Sequence, residues 1–467
     1  MTLLWVALVG YGILMFLVSP RATDSKAFYW GYDAQGRETG FWLLTCSTFI
    51  TWIFAKSVTN AANLGATYGI VGGLAYATYY LSIPVAGIVI VSIRKRHGVR
   101  SLSEFLVSRY GRTAATAFLL VITIRLFNEV WSNTAVVGSY FGQKGSFPYY
   151  AAAFVFTALT LIYSLKGGLR SSIVTDMLQL GLAGFFLFFL LFHLFPRVGP
   201  VELLQAGEFS FRGGLDILLV AFLQIWSYPF HDPVLTDRAF IADRQATVPA
   251  FWAAGIGGIL FIILSSMIGI YAFKQGLAFT DDAPRVVAAS FGLGILFAMN
   301  VIMLCSAGST LDSTLSSISK EAGVDLAAIG FERWRDRVGI GKVAMVVIAL
   351  LGNLPLFAGA SILQATTISG TMVMGLAPIF ILHFLPSVPR ASFHFAFWPG
   401  LGLGILYTLG WVPSALAIGN GRYAMLLGVN FYGLLLCTGL FLVPWAYERV
   451  AYAKFARRLA AVMENRR

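Results

Sequence analysis

The run Ser306-Ala307-Gly308-Ser309-Thr310-Leu311-Asp312-Ser313 sets hydroxyls and a carboxylate inside a stretch otherwise apolar enough to cross a membrane. Groups this polar are costly in hydrocarbon unless they face protein, water or an ion. On a helix, Ser306, Ser309, Ser313, Ser316 and Lys320 recur at steps of three or four. They stack as one stripe roughly 20 Å long at 1.5 Å per residue, suited to be a wall of an ion path. Packing residues bonded to their own helix would look similar, but packing has no use for the charged Asp312 beside them.

The elements that position this stripe follow from composition. Of 467 residues, 58% are hydrophobic and only 12% charged, with a mean hydropathy of +0.77, values that exclude a soluble globular domain of this size. Apolar runs predict an all-α polytopic membrane protein of about thirteen transmembrane helices. The spans start near positions 2, 40, 69, 114, 148, 172, 216, 249, 287, 341, 361, 395 and 423. Residues 1–19 lack a basic leading region and a small-residue cleavage site and read as a retained helix. The net charge of +12 does not point to nucleic acid, because most Lys and Arg fall on one set of alternate loops and in the tail. That asymmetry places the amino terminus outside and the carboxyl terminus in the cytoplasm of a cell membrane. Cys46, Cys305 and Cys437 are isolated and suit small core side chains, with no thiolate metal site.

Two spans read as interrupted. Thr51, Lys56, Ser57, Thr59, Asn60 and Asn63 crowd residues 45–66, and Pro229 and Pro233 flank His231-Asp232 within 216–240. Each proline removes a backbone donor and frees an upstream carbonyl, and irregular backbone at membrane depth lines a cavity or a site. The interrupted helices head two successive groups of five spans. The expected organisation is a peripheral first helix and loop (1–39), a ten-helix inverted-repeat core (40–387), and two peripheral helices with a basic tail (388–467).

With these features in place the chain resembles the sodium/solute symporter family from about residue 27 to about 385. The resemblance is carried by Ile50-Thr51-Trp52-Ile53, by Lys166-Gly167-Gly168-Leu169-Arg170 leading to Thr175-Asp176-Met177-Leu178-Gln179, by Trp226 through Arg238, and by Ser309-Thr310-Leu311-Asp312-Ser313. It implies sodium-coupled symport of a small organic solute by alternating access, with Na+ as coupling ion, no organic cofactor, the lipid bilayer as surroundings, and no obligate protein partner. It further implies a sodium site made of the carbonyls of Ile50, Ile53 and Ser306 with the hydroxyls of Ser309 and Thr310. A hard cation of this size takes about five or six oxygens.

The resemblance places Asp176 where some members form a second sodium site, here with Ser309, Asp312 and Ser313. The other reading has Asp176 at a helix end, neutralised by Lys166 and Arg170. Lys56 is not required by the family. It is either half of a buried pair with Glu129, with Arg125 sharing that acid or facing lipid headgroups, or a contact for an anionic or zwitterionic solute, or a fixed ammonium that replaces a coupling ion. Intact Ser309 and Thr310 argue against the last. Tyr228 matches an aromatic gate over the solute, and Asn60 and Gln364 are the further polar candidates near it. His231-Asp232 is either a proton relay or a pair that satisfies carbonyls freed by the prolines. The competing functions are a proton-coupled or uncoupled carrier of the same fold and a membrane sensory protein. An enzyme is disfavoured, because nothing resembles a nucleophile, phosphate loop or metal cluster.

Overall fold

The computed structural model describes residues 2–358 and 369–464, with side chains to residue 452. Among the described residues the regular structure is helical, apart from one isolated bridge between Thr39 and Ala242. In chain order the helices are α1 (Thr2–Val18), α2 (Ser25–Trp30), α3 (Phe41–Trp52), α4 (Ala55–Tyr68), α5 (Ile70–Thr78), α6 (Ser82–His97), α7 (Leu102–Tyr110), α8 (Arg112–Ser139) and α9 (Phe147–Leu194). There follow α10 (Pro200–Leu204), α11 (Asp216–Gln224), α12 (Pro233–Thr236), α13 (Arg244–Gln275), α14 (Ala283–Ser290), α15 (Leu293–Lys320), α16 (Leu326–Ile329) and α17 (Val338–Leu351). Helices Leu376–Ile381, Arg390–Thr408 and Ala424–Glu464 follow.

Among the described residues, seven helices are long and apolar enough to cross a membrane, and α3 with α4, bent by 58°, makes an eighth. Five of the thirteen expected spans do not stand out separately: the helix Thr2–Val18 is short, Arg390–Thr408 is not among the spans apolar enough, and the other three have reasons visible in the chain. The expected spans at 148 and 172 run on as α9, divided only at Gly168, whose backbone leaves the helical region at φ 55°, ψ −137°. The segment from 216 is cut into short pieces, and the expected start at 361 lies outside the described residues.

The first interruption falls at Ile53 (φ −82°, ψ 76°) and Phe54 (φ −64°, ψ 148°), of which the second is extended. The backbone groups it frees are taken up by side chains, as groups without water must be. The Tyr80 hydroxyl donates to the Trp52 carbonyl at 2.9 Å, and the Ala55 amide donates to Asn133 Oδ1 at 3.0 Å. The Thr310 hydroxyl donates to the Thr51 carbonyl at 3.2 Å. Past α11, the two prolines leave a turn at Tyr228–His231, the single turn α12 capped by Asp232, and a second turn at Asp237–Phe240.

Helix α15 packs along α9, with α8 and α17 also against it, while α13 lies across α3, α4, α5 and α6. Small residues permit these close approaches, as is usual between membrane helices. A methyl added at Gly269 of α13 would collide with the Ala62 carbonyl of α4, and one at Gly308 of α15 would collide with the Tyr11 hydroxyl of α1. Gly168 is constrained twice, by its positive φ and by the Phe28 carbonyl lying where a side chain would start. Gly168→Ala should therefore lose at least ~1–2 kcal/mol from backbone strain alone. The thermal midpoint of the purified protein in micelles should fall, whereas Gly181→Ala, whose methyl meets nothing within 4 Å, should leave it unchanged.

Candidate functional site

Two buried polar networks flank the break in the α3–α4 pair. The first joins α3, α9, α15 and the turn carrying Arg238. Asp176 of α9 is fully buried. Its Oδ1 accepts from Ser309 Oγ at 2.5 Å, and its Oδ2 accepts from Ser47 at 2.6 Å and Thr51 at 3.2 Å. Its counter-charge is Arg238, whose Nη2 lies 3.0 Å away. Arg238 also donates to Ser313 Oγ at 2.6 Å, Ser47 Oγ at 2.8 Å, Ser172 Oγ at 3.2 Å and the Val234 carbonyl at 2.6 Å. Lys166 and Arg170 turn away to the carbonyls of Phe16 and Gly31. The helix-end reading of Asp176 therefore does not hold, since a residue inside α9 sits next to α15.

Asp312 lies beside this pair, and among the described residues its hydrogen-bond donors are hydroxyls. Ser172 donates to Oδ1 at 2.7 Å, and Tyr163 and Thr175 donate to Oδ2 at 3.0 and 3.1 Å. Ser313 Oγ lies 3.2 Å from Oδ1. The structure thus brings Asp176, Ser309, Asp312 and Ser313 together, and adds Arg238, Ser47, Thr51 and Ser172 that the sequence reading had not assigned. Of the carbonyl set, Ile50 accepts the Ile53 amide at 2.9 Å, and Ser306 accepts the Thr310 hydroxyl at 3.1 Å. The Thr310 hydroxyl thus bridges the break to α15. Ser306 Oγ is buried without a hydrogen-bond partner among the described residues.

The second network lies on the other side of the break. Lys56 Nζ is 2.6 Å from Glu129 Oε1 and donates to Ser132 Oγ at 3.2 Å. Arg125, one turn before Glu129 on α8, pairs with the same carboxylate and with Asp232 Oδ2 at 2.6 Å. Lys56, Glu129 and Asp232 are fully buried and Arg125 is 2% exposed, so Arg125 does not reach headgroups. Two cations and two acids alternate from α4 through α8 to the cap of α12. Asp232 is taken by Arg125 and the Val234 amide, while His231 Nδ1 lies 2.5 Å from the Tyr228 carbonyl. No bond joins His231 to Asp232, so the pair is arranged to satisfy backbone and arginine, not as a direct relay.

Tyr228 packs edge-on to Trp52 and against Tyr79, with Arg125 5.5 Å from its ring centroid. Asn60 Nδ2 points at Tyr76 Oη from 3.4 Å. Asn60 also lines a cavity of about 370 Å³, with Asn63, Trp131, Tyr140, Asp281 and Arg285 among its other walls. Gln364 lies outside the described residues. Among the described residues no group of three or more His, Cys, Asp or Glu could hold a metal ion. The oxygens gathered at the break are mainly hydroxyls and carbonyls, which suit an alkali cation better than a transition metal.

Residues 32–209 match the family model described as Sodium:solute symporter family. The mouse Sodium/glucose cotransporter 1 is 28% identical over 175 residues, 37% of this chain and 26% of that protein. The zebrafish (Danio rerio) Sodium/glucose cotransporter 4 is 22% identical over 444 residues, 80% of this chain and 66% of its own length. The chain thus spans about a quarter of the mouse protein it matches and about two thirds of the zebrafish one. Among solved structures, the substrate-bound outward-open state of a Na+-coupled sialic acid symporter superposes with a TM-score of 0.69 at 14% identity, covering 94% of this chain and 98% of that one. A nucleobase-cation-symport-1 family transporter in a closed conformation gives 0.58 at 15% identity, covering 91% and 94%. At these identities the likeness is one of fold.

The second network makes an ordered set of stability predictions. Glu129→Gln strands both Lys56 and part of Arg125 and should cost on the order of 3–5 kcal/mol. Lys56→Met leaves Glu129 paired with Arg125 and should cost less. The double variant should be more stable than Glu129→Gln alone. Denaturation midpoints of the three purified proteins test the order.

Proposed function

Because residues 32–209 match the sodium:solute symporter family model, we propose that the chain is a member of that family and a sodium-coupled symporter of a small organic solute, working by alternating access. Its relatives and fold neighbours are transporters, not enzymes. The observation that carries the reading is the Thr310 hydroxyl, held between the Thr51 carbonyl of the broken helix and the Ser306 carbonyl of α15, next to Ser309 on Asp176.

In this reading sodium binds between the two helices. The Ser309 and Thr310 hydroxyls turn their lone pairs to it, and the carbonyls of Ile50, Ile53 and Ser306 complete the shell. The orphaned Ser306 Oγ marks the same place as one where a further partner is accommodated. Binding fixes α3 against α15 and so favours the state that holds solute, which is a shift of population by differential affinity. Asp176, Asp312 and Ser313 form a second candidate ion position, with Arg238 already bonded to two of the three. Lys56, Asn60, Glu129 and Tyr228 line the solute side, with Gln364 the further candidate. The closed Lys56–Glu129 pair favours a positioning role for Lys56 over direct recognition of a solute charge. The cavity that reaches Asn60 is the entry vestibule.

The proposed organisation is the inverted-repeat core of 40–387 between peripheral segments 1–39 and 388–467, about thirteen spans in all. The amino terminus lies outside and the carboxyl terminus in the cytoplasm. One sodium moving down about 100 mV contributes roughly 2.3 kcal/mol, and each tenfold gradient adds about 1.4 kcal/mol, enough to concentrate a metabolite substantially.

In proteoliposomes, an inward sodium gradient should drive uptake of one member of a solute panel. Ser309→Ala and Thr310→Ala should each raise the half-saturating sodium concentration several-fold. Uptake unchanged when choline replaces sodium, with both variants like the parent, would assign the chain to proton-coupled or uncoupled carriers.

A further inference from the structure

The serine stripe does not end at the sodium ligands. It runs on through Ser313 and Ser316 to Lys320, where three further acids converge. Ser317 Oγ donates to Asp237 Oδ2 at 2.9 Å, and Lys320 pairs with Asp237 Oδ1. Thr123 of α8 donates to Glu321 Oε1 at 2.6 Å. Asp325 follows one turn later. Lys320 is 1% exposed, Glu321 5%, Asp237 7% and Asp325 8%. Asp237, Glu321 and Asp325 thus line one small cavity, and Lys320, paired with Asp237, is the single ammonium bonded to any of them among the described residues.

Two of the carboxylate oxygens have nothing to bind. Glu321 Oε2 and Asp325 Oδ1 are buried without a hydrogen-bond partner among the described residues. Both residues line a small cavity, with Asp237, Ser101, Ser103 and Ser317 also in its wall. Its volume is about 20 Å³, room for one water-sized occupant. Buried, unpaired carboxylate oxygens are strongly unfavourable. A small positive occupant relieves that cost, and the hydroxyls around it supply the hard oxygen ligands an alkali cation takes.

We propose that this cavity, between the end of α15, the start of α7 and the turn carrying Asp237, is a further cation site, distinct from both positions at the break, that receives sodium on its way between the broken helix and the cytoplasm. It rests on the symport reading above. Glu321 lies twelve residues beyond Ser309, roughly 18 Å along the helix, so the two positions are distinct. Lys320 holds one of the three acids. In that same position the ammonium lies 4.9 Å from the Trp30 ring centroid, where cation–π attraction adds to its hold. Its charge therefore bears on how negative the cavity is. Two free carboxylate oxygens with hydroxyls suit a monovalent ion, released easily, better than a tightly held divalent one.

Equilibrium binding of ²²Na+ to the purified full chain in micelles, which exposes both faces, tests this. The parent protein should show a tight and a weaker class of site. Thr310→Ala should remove the tight class only, and Glu321→Gln/Asp325→Asn should remove the weaker class only. Lys320→Met should tighten the weaker class several-fold. Ser103→Ala, a change too mild to unfold the chain, should weaken it. A double variant that binds ²²Na+ as the parent does, or Lys320→Met without effect, overturns the proposal and leaves the acids neutralised by protons. Tight binding unaffected by Thr310→Ala would instead count against the sodium site at the break, so the two readings fail separately.

Discussion

The ion pair between Arg238 and Asp176 is the constraint around which the rest of this molecule is arranged. Both groups are fully buried, and a buried charge that loses its partner costs several kcal/mol. Neither can leave unless the other is compensated. Around them the hydroxyls of Ser47, Ser172, Ser309 and Ser313 fill the remaining hydrogen-bonding capacity. Those residues come from α3, α9 and α15, and Arg238 comes from the turn beyond α12, so one ion pair fixes four segments distant in sequence. The break at Ile53 and Phe54 begins one turn past this anchor. Half of the broken helix is held, and the other half is directed by different contacts.

Those different contacts are the chain of charges from Lys56 to Asp232. Each interrupted segment contributes to both networks. The α3–α4 pair gives Ser47 and Thr51 to the first and Lys56 to the second. The segment after α11 gives Arg238 to the first and Asp232 to the second. A rotation at either break must therefore stretch bonds in both networks, and the cheapest rearrangement moves the two segments together. In the proposed symport cycle, such coupling would let an ion at one network shift the equilibrium of an element that the other network also holds. Arg125 is central here because its fork bridges two acids on different elements, which a lysine could not do with the same geometry.

The all-helical class, the membrane setting and the first interruption were legible in the sequence, because apolar content and a cluster of polar residues inside a span leave few alternatives. The grouping of Ser309, Thr310, Asp312 and Ser313 was legible for the same reason, as was Glu129 for Lys56. Arg238 was not. It follows a proline-broken stretch and reads as a loop cation at a span's end, and only the fold of the turn at Asp237–Phe240 brings it back over Asp176. Arg125 was visible as an odd charge in an apolar helix, but its second partner depends on how Asp232 is presented by a cap that pattern alone does not place. Asn133 and Tyr80, which close the broken helix, look like ordinary polar residues of apolar helices. A useful signal was nonetheless present. Asp176 and Asp312 are acids without an obvious partner within the spans, and Arg238, at the end of the interrupted stretch 216–240, is a cation that could match one of them.

The dominance of hydroxyls at this site has a physical reason beyond size. A carbonyl can only accept and an ammonium can only donate, so either would be left unsatisfied in one of the two states of an ion site. A hydroxyl donates to a neighbour when the ion is away and turns a lone pair to the ion when it arrives. Thr310 now donates to carbonyls, and Ser309 donates to Asp176. Both can exchange these bonds for coordination without exposing an unpaired group. Asp312, surrounded by hydroxyls from α9 and α15, offers further oxygens to the same rotors. The site can therefore exchange hydrogen-bond partners through small rotations. In the proposed transport cycle, that property would let the site hold an ion firmly enough to order a helix and still release it.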